Sequence, residues 1–351
     1  MLDDLLNKIT SLDIESMKNA QIRLDTLTKP LGSLGKLENI VVKLSGIDCS
    51  PSPKANNKAI VVMCADNGVV EEGVSSCPKS VTASVTCNFT RGITGINVFS
   101  RLTNSKLVVV DIGVDADIPY STILNRKIRK GTWNMAKGPA MTREEAIRGI
   151  LAGIEIVKNL KAEGINLLGT GEMGIGNTST SSAVTAAFTK VPVDKLVGIG
   201  SGLSKEAYIN KIEVIKQAIN INQPDPSDPI DVLSKVGGFD IAGLTGCFLG
   251  AAIYRIPIVI DGFISAVAAL TAVRIHPSAR DYMLPSHGSA EPGTQAVMKA
   301  LDMEPMLNLD MRLGEGTGAA LGFQLIDAAI AAYTQMGSFD DAKIEQYVPQ
   351  E

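Results

Sequence analysis

The chain has 351 residues, 45% of them hydrophobic and 20% charged, so it can bury a large core and is not disordered. Its net charge of −4 comes with no basic stripe, which argues against nucleic acid or an acidic membrane surface as the main partner. Five cysteines without a CxxC pair or a histidine at ligand spacing indicate reduced thiols rather than a metal or disulfide site. With no signal-peptide pattern at the N-terminus and no membrane-length apolar span, we expect a cytoplasmic protein.

The pattern of predicted elements changes after a proline-bearing stretch at residues 50–54, which is the best candidate linker. Residues 1–48 are predicted to be helical. Short, continuous β-branched runs then occur at residues 59–64, 107–110, 165–168, 196–199 and 256–260. Helical stretches lie between several of them, including residues 143–160 and 205–219. This alternation predicts an α/β fold with a parallel sheet buried on both faces.

Polar residues follow the predicted strands where each one ends. They are Asp66-Asn67-Gly68 after the first run, Asp111 after the second, Gly169-Thr170-Gly171-Glu172 after the third and Asp261-Gly262 after the fifth. Ligands of open parallel sheets bind beyond the carboxyl ends of the strands. We therefore expect these groups to gather at one edge, where several carboxylates would meet.

The segment from Gly169 to Ser182 is a glycine-rich loop that leads into a helix rich in hydroxyl groups. It matches the pattern GxGxxG, and Asp194 follows about twenty residues later, so a dinucleotide site is one interpretation. The run of donors from Asn177 suits a phosphomonoester, and Glu172 would repel a pyrophosphate but could hold ribose hydroxyls. A structural turn is the third interpretation.

Several other residues could bind or react, but simpler interpretations compete. Gly198-Ile199-Gly200-Ser201-Gly202 is a second glycine loop, and Lys211 in the following helix could reach an anion or be solvated. No triad can be assembled around His276 or His287, for which structural roles are favoured. The basic run at residues 126–130 and Trp133 indicate a surface loop rather than a nucleic-acid patch.

Glu315 is the most informative single residue. It stands alone between Gly314 and Gly316, after a possible strand at residues 307–311 and before a predicted helix at residues 319–332. Glycine allows close backbone approach to a ligand, and a helix N-terminus offers free N–H groups. The segment alone is equally consistent with a turn that begins a helix and with a site where the carboxylate acts as a base.

Six motifs in order along the chain resemble the nicotinate-nucleotide–dimethylbenzimidazole phosphoribosyltransferase family. They are TKPLGSLG at 28–35, GEMGIGNT at 171–178, GGFDIAG at 237–243, DGFI at 261–264, SAEPG at 289–293 and RLGEGTGAA at 312–320. The resemblance implies a Rossmann-like domain over residues 55–305. It also implies a smaller helical domain formed by residues 1–54 and 306–351. A homodimer is expected, or a heterodimer with a paralogue, with small-molecule substrates and no cofactor.

The resemblance also implies a reaction and the residues that carry it. The phosphoribosyl group would move, with inversion, from nicotinate mononucleotide to a base nitrogen, in the nucleotide-loop assembly of cobamides. Glu315 matches the family's catalytic base. Positions that match nucleotide and phosphate contacts are Glu172, Gly174, Ile175, Gly176, Asn177, Thr178, Gly200, Ser201, Gly202 and Lys211. Positions expected to shape the base pocket are Cys77, Ser84, Val85, Met173 and Leu313.

The chain departs from the family pattern at three positions. Asn67 and Thr294 stand where the family usually has histidine, and Gly288 stands where it usually has arginine. Together with the unusual base-pocket residues, these departures predict a less polar pocket that favours an apolar or phenolic acceptor. Two alternatives remain at this stage: a non-catalytic or heteromeric paralogue subunit and an NAD-dependent dehydrogenase. Retention of Glu315, Glu172 and the phosphate loop argues against a subunit without catalysis.

Overall fold

The computed structural model describes residues 2–119, 121–199 and 202–346. The helices are α1 (Leu2–Leu6), α2 (Ile14–Thr26), α3 (Lys36–Asp48), α4 (Ser80–Thr90), α5 (Gly95–Leu102), α6 (Arg143–Ala162), α7 (Asn177–Thr189), α8 (Lys205–Asn222), α9 (Pro229–Val236), α10 (Phe239–Ile253), α11 (Phe263–Ile275), α12 (Gly293–Leu301), α13 (Thr317–Gln335) and α14 (Phe339–Ala342). The strands are β1 (Lys58–Ala65), β2 (Ser105–Gly113), β3 (Leu124–Asn125), β4 (Leu167–Met173), β5 (Ile258–Ile260), β6 (Met283–Pro285), β7 (His287–Gly288) and β8 (Leu307–Asn308). No described helix combines the length and apolarity needed to cross a bilayer.

Six strands form one sheet in the order β3-β2-β1-β4-β5-β6, and each neighbouring pair is parallel. The chain builds outwards from β1 to β3 and then returns to the other side of β1 with β4. This is the doubly wound order, whose switch point lies between β1 and β4. The predicted α/β fold with a Rossmann-like parallel sheet is confirmed.

The two faces of the sheet are packed into separate hydrophobic clusters. Along β1, which is buried throughout, Ala59, Val61 and Met63 belong to one cluster, while Ile60 and Val62 belong to the other. Helices α6, α10 and α11 pack with the first cluster, and α3 and α13 contribute to the second. Because successive strand residues point to opposite faces, a strand buried on both sides must be apolar throughout.

Helices from the two ends of the chain meet on one face of the sheet. Helix α3 packs against α13, and Leu27 forms an antiparallel bridge with Ser338. On the other face α6 and α10 cross closely, since a Cβ added at Gly153 would overlap the Gly243 carbonyl oxygen. The proposed domain boundaries at residues 54 and 306 stay a prediction.

Two predictions about strands need correction. Residues 196–199 are not a strand: Leu196 and Val197 are buried outside the sheet, and a four-residue apolar run cannot be told from any other buried segment. The second correction concerns GxGxxG. Gly169 and Gly171 lie inside β4 rather than in the turn after it, so the motif does not form the strand-to-helix turn of a dinucleotide site.

Candidate active site

A cavity of about 440 Å³ opens beyond the carboxyl ends of β4 and β5, next to the switch point of the sheet. Its walls come from several parts of the chain that are distant in sequence. They are residues 74, 75 and 85, the end of β4 with the β4–α7 turn, residue 203 with Lys211 of α8, the start of α11, and parts of the segments 287–291 and 312–315. The prediction that polar strand ends gather at one edge is confirmed for Glu172 and Asp261, which both line the cavity.

Glu315 lies in a left-handed stretch of backbone at the cavity wall. Its φ is 62°, between Gly314 at 82° and Gly316 at 96°. A non-glycine residue in this region carries strain, which the surrounding structure must impose. Strand β4 makes room for the stretch, because a Cβ at Gly171 would overlap the Glu315 carbonyl oxygen. The glycines therefore allow the Glu315 backbone to lie directly on the sheet.

The Glu315 carboxylate points at the N-terminus of α5. Its Oε2 atom accepts a hydrogen bond of 3.0 Å from the backbone N–H of Ile96. Burial raises the pKa of Glu315 above its ordinary value, while hydrogen bonds from Ile96, Gly95 and Thr94 act in the opposite direction. A helix N-terminus favours the ionised form. Glu315 is thus a desolvated but anchored carboxylate, as a general base requires.

Asp261 fixes the helix that follows Glu315. Its Oδ1 atom accepts hydrogen bonds from the N–H groups of Gly318 at 2.7 Å and Ala319 at 3.1 Å, and its Oδ2 accepts one from Gly316 at 3.1 Å. These are N–H groups that have no partner within α13. Since Asp261 directly follows β5, this carboxylate ties the Glu315 segment to the sheet.

Glu172, the penultimate residue of β4, supplies a second carboxyl group to the cavity. It is only 8% exposed. Burial, together with the nearby charges of Asp240, Asp261 and Glu315, raises the pKa of Glu172 to about 8. The side-chain amide of Asn177 donates to Glu172 Oε2 and opposes this rise. The surroundings of Glu172 therefore favour its neutral form.

The opposite end of the cavity is suited to an anion. Gly174, Ile175 and Gly176 form the turn before α7 and line the cavity, so an anion there would lie at the N-terminus of this helix. Lys211 from α8 lines the same end and donates to the Thr178 hydroxyl over 2.8 Å. Burial lowers the pKa of Lys211 to about 8. An arriving phosphate would be held by backbone donors and would favour the charged form of this lysine.

Two further charged side chains lie near this end. Glu291 is 8% exposed, and its Oε2 atom has no hydrogen-bond partner among the described residues. Burial raises the pKa of Glu291, and the positive charges of Lys211 and Arg312 oppose the rise. Arg312 and Glu291 both line the cavity. Acceptor and donor groups are therefore both available to a polyhydroxylated, phosphorylated ligand.

The wall near Glu315 is largely apolar. Val85, Met173 and Leu313 line the cavity there, and a Cβ at Gly95 would lie 2.7 Å from Leu313. Such a wall suits a flat aromatic ring. Within the described ranges, no group of three or more His, Cys, Asp or Glu side chains could hold a metal ion.

Comparison with known proteins agrees with this arrangement. The sequence profile of a family described as "Phosphoribosyltransferase" matches residues 9–344. Nicotinate-nucleotide–dimethylbenzimidazole phosphoribosyltransferase of Ruminiclostridium cellulolyticum is 65% identical over 349 residues, 99% of each chain, and that of Clostridium acetobutylicum is 64% identical over 348 residues, again 99% of each. The crystal structure of CobT from Thermus thermophilus superposes with a TM-score of 0.91 at 39% identity, covering 95% of this chain and 100% of that one.

The chain belongs to the nicotinate-nucleotide–dimethylbenzimidazole phosphoribosyltransferase family. The family membership predicted from the six motifs is confirmed. As a member of this family the chain is an enzyme of the phosphoribosyltransferase class, which leaves the dehydrogenase interpretation without support.

Most residues predicted for the transferase site line the cavity. They are Val85, Glu172, Met173, Gly174, Ile175, Gly176, Asn177, Thr178, Lys211, Leu313 and Glu315. Three others are not among the lining residues: Gly202 is exposed, Ser84 is exposed and donates to the Ser80 carbonyl, and Cys77 is half-buried. Gly200 and Ser201 lie outside the described residues. The role of each of these side chains in the transferase stays a prediction.

The structure adds residues that the sequence did not single out for the transferase site. Asp261, Glu291 and Arg312 line the cavity, and each lies within one of the six family motifs, which was the available signal. His287 is buried beside the Ser286 hydroxyl, as expected of a structural histidine, but its ring also reaches the cavity. A Cβ at Gly318 would overlap this ring.

The three residues that depart from the family pattern have different surroundings in the structure. Asn67 is fully buried and donates to the Ile175 carbonyl at 3.4 Å, so it holds the turn at residues 174–176, called the phosphate turn below. Gly288 belongs to β7, and a Cβ there would lie 2.7 Å from the Asn308 side chain. Thr294 is buried near the start of α12.

Proposed function

We propose that this chain transfers the phosphoribosyl group of nicotinate mononucleotide to an aromatic acceptor, giving an α-linked nucleotide 5′-phosphate and nicotinate. The relatives named above carry this activity in their names. The observation that supports it most in the structure is the shape of the cavity. A carboxylate, Glu315, stands against an apolar wall at one end, and the α7 N-terminus with Lys211 forms an anion site at the other.

The chemistry of the substrate fits these groups. Nicotinate is already a cationic pyridinium in the nucleotide, so its bond to the anomeric carbon breaks with the electron pair going to the ring nitrogen. No general acid is needed for this departure. The acceptor, through the nitrogen of an azole or the hydroxyl oxygen of a phenol, forms the new bond on the opposite face, and its N–H or O–H proton passes to Glu315. Before it takes the proton, the negative charge of Glu315 stabilises the positive charge that builds at the anomeric carbon.

The acceptor is proposed to be an apolar azole or a phenol. Val85, Met173 and Leu313 provide the apolar surface near Glu315, and burial of an aromatic ring against such side chains is favourable. Dimethylbenzimidazole and p-cresol meet this description, whereas adenine would leave polar ring atoms unpaired.

The assembly and location belong to the same proposal. We infer a homodimer, or a heterodimer with a paralogue, from the family resemblance. Exposed apolar side chains on α5, Val98 and Leu102, provide surface that a second chain could cover. A cytoplasmic location is consistent with the five cysteines, all of which are free thiols.

The experiment is product analysis with the purified chain alone. Nicotinate mononucleotide is incubated with dimethylbenzimidazole, p-cresol or adenine, and mass spectrometry identifies the products. We expect nicotinate and the nucleotide of an apolar acceptor. Strict preference for adenine would refute the acceptor class, and turnover only after a homologous subunit is added would support the heteromeric assembly.

A further inference from the structure

The side-chain amide of Asn177 is shared between two buried carboxyl groups. Its Nδ2 atom donates to Glu172 Oε2 and, over 3.1 Å, to Asp240 Oδ2. Glu172 lines the cavity, whereas Asp240 is fully buried and is not among the lining residues. Asn177 is the first residue of α7, so the same residue belongs to the phosphate turn. The Asn177 amide thus links Glu172, which lines the cavity, to Asp240, which lies behind the cavity wall.

We propose that Asp240 is a positioning residue for the transfer reaction: it holds the side-chain amide of Asn177, and through that amide it fixes the Glu172 carboxyl group at the cavity. This inference rests on the proposed function. Asp240 would then influence the reaction without contacting the substrate.

Asp240 is itself held firmly. It lies in the first turn of α10, and its Oδ1 atom accepts a hydrogen bond of 3.0 Å from the Ile241 N–H. A Cβ at Gly174 would lie 3.0 Å from its Oδ2 atom, so the carboxylate lies directly beneath the phosphate turn. With Oδ1 fixed by the helix, Oδ2 remains to hold the Asn177 amide. A side chain fixed in this way can orient a neighbour.

Glu172 is surrounded by acids. Asp240 faces it from α10, Asp261 from the end of β5, Glu315 from the loop before α13 and Cys64 from β1. Its second oxygen, Oε1, packs against Gly314, where an added Cβ would overlap it. Asp240 is the acid with the largest effect on the pKa of Glu172. Like charges held close in a buried site cannot all ionise, and one of them keeps its proton.

The consequence is a division of roles between Glu172 and Glu315. A Glu172 carboxyl group that keeps its proton can donate a hydrogen bond to a substrate oxygen but cannot take a proton from the acceptor. Glu315 receives N–H groups at the α5 N-terminus, which favour its ionised form. Pairs of carboxyl groups whose surroundings differ in this way separate into an acid and a base.

The test is a titration of Glu172 in the full chain, followed by NMR of 13C-labelled glutamate carboxyl groups. Glu172→Gln identifies the resonance. We expect a midpoint well above the ordinary 4.5 in the wild type. Asp240→Ser, which removes the charge and keeps an oxygen, should lower the midpoint by about one pH unit or more. Asn177→Ala should raise it, because the donor that favours the anion is lost.

Asp117→Ser is the matched control, since Asp117 is exposed and is not among the groups that raise the pKa of Glu172. It should leave the Glu172 midpoint nearly unchanged. The pH dependence of kcat/KM should move in the same direction as the midpoint in Asp240→Ser. If this variant does not fold, the wild-type and Asn177→Ala titrations decide.

Two outcomes would overturn the proposal: a wild-type midpoint near 4.5, or the same midpoint in wild type and Asp240→Ser. Either result, obtained with an active enzyme, leaves the transferase function intact. If the wild type forms no product from any acceptor, the function fails, and the titration still decides whether Asp240 controls Glu172.

Discussion

The carboxylate of Glu315 accepts a hydrogen bond from the backbone N–H of Ile96, 219 residues earlier in the chain. The contact joins the loop before α13 to the N-terminus of α5. It orients the carboxylate towards the apolar wall of the cavity and keeps it in place while the remainder of the loop lies on β4.

Replacement of Glu315 by glutamine tests its role as the base. The glutamine side chain keeps a carbonyl oxygen that can accept from the Ile96 N–H, so we expect normal folding. Without a group that can take the acceptor proton, kcat/KM should fall about 10²–10⁴-fold. Steady-state turnover of nicotinate mononucleotide with dimethylbenzimidazole measures this loss. The control is Glu144→Gln on the exposed start of α6, and wild-type-like turnover of Glu315→Gln would sink the assignment.

Much of this site could be predicted because its chemistry is concentrated in short motifs. Glu315 stands out as a lone carboxylate among glycines, and the turn at residues 174–178 combines glycines with hydroxyl and amide donors. The contacts that orient them could not be predicted. Asp261 reaches Gly318 across 57 residues, and the Asp240–Asn177 contact spans 63 residues. Such pairs depend on how the strands are ordered in the sheet, which the local pattern does not encode.

The same distinction explains the errors about strands. Continuous apolar runs correctly indicate β1, β2 and β5, because helices cover both faces of the sheet that these strands form. Residues 196–199 are also apolar, but Leu196 and Val197 are buried outside the sheet and Ile199 is exposed. The glycines of β4 look like a turn in the sequence, whereas in the fold Gly171 admits the backbone of Glu315.

Gly171→Ala should damage both stability and turnover. The added Cβ would overlap the Glu315 carbonyl oxygen and lie 2.5 Å from its carbonyl carbon, and both are backbone atoms that cannot rotate away. Overpacking of this kind costs about 1–3 kcal/mol. The thermal unfolding midpoint and kcat should both fall. Gly138→Ala, which has open space around the added atom, is the control. Unchanged turnover in Gly171→Ala would mean that the loop position is unimportant.

Lys211 should govern affinity for the nucleotide. Among the described residues of α8, Lys211 is the one charged side chain that lines the cavity, and Lys211→Met removes its charge. KM for nicotinate mononucleotide should therefore rise by about tenfold or more. Because burial lowers the pKa of Lys211 to about 8, affinity of the wild type should be highest below that pH and decline above it. Equilibrium binding measured between pH 6 and about pH 9 tests both statements.

Lys205→Met, on the exposed first turn of the same helix, is the matched control and should leave KM unchanged. A decline in affinity at high pH that persists unaltered in Lys211→Met would assign the titration to another group.

Glu172 should make the folded protein less stable as the pH rises. Its pKa is about 8 when folded, against an ordinary value of 4.5, so its contribution to stability is complete below pH 4.5 and is lost as the pH approaches 8. The free energy of unfolding should fall with a slope on the order of 1 kcal/mol per pH unit in this window. Glu172→Gln cannot ionise and should remove most of that slope, which urea unfolding between pH 5 and about pH 8 measures. An equal slope in the wild type and Glu172→Gln would contradict this prediction. It would mean that burial among Asp240, Asp261 and Glu315 does not oppose ionisation of the Glu172 carboxyl group in the folded protein.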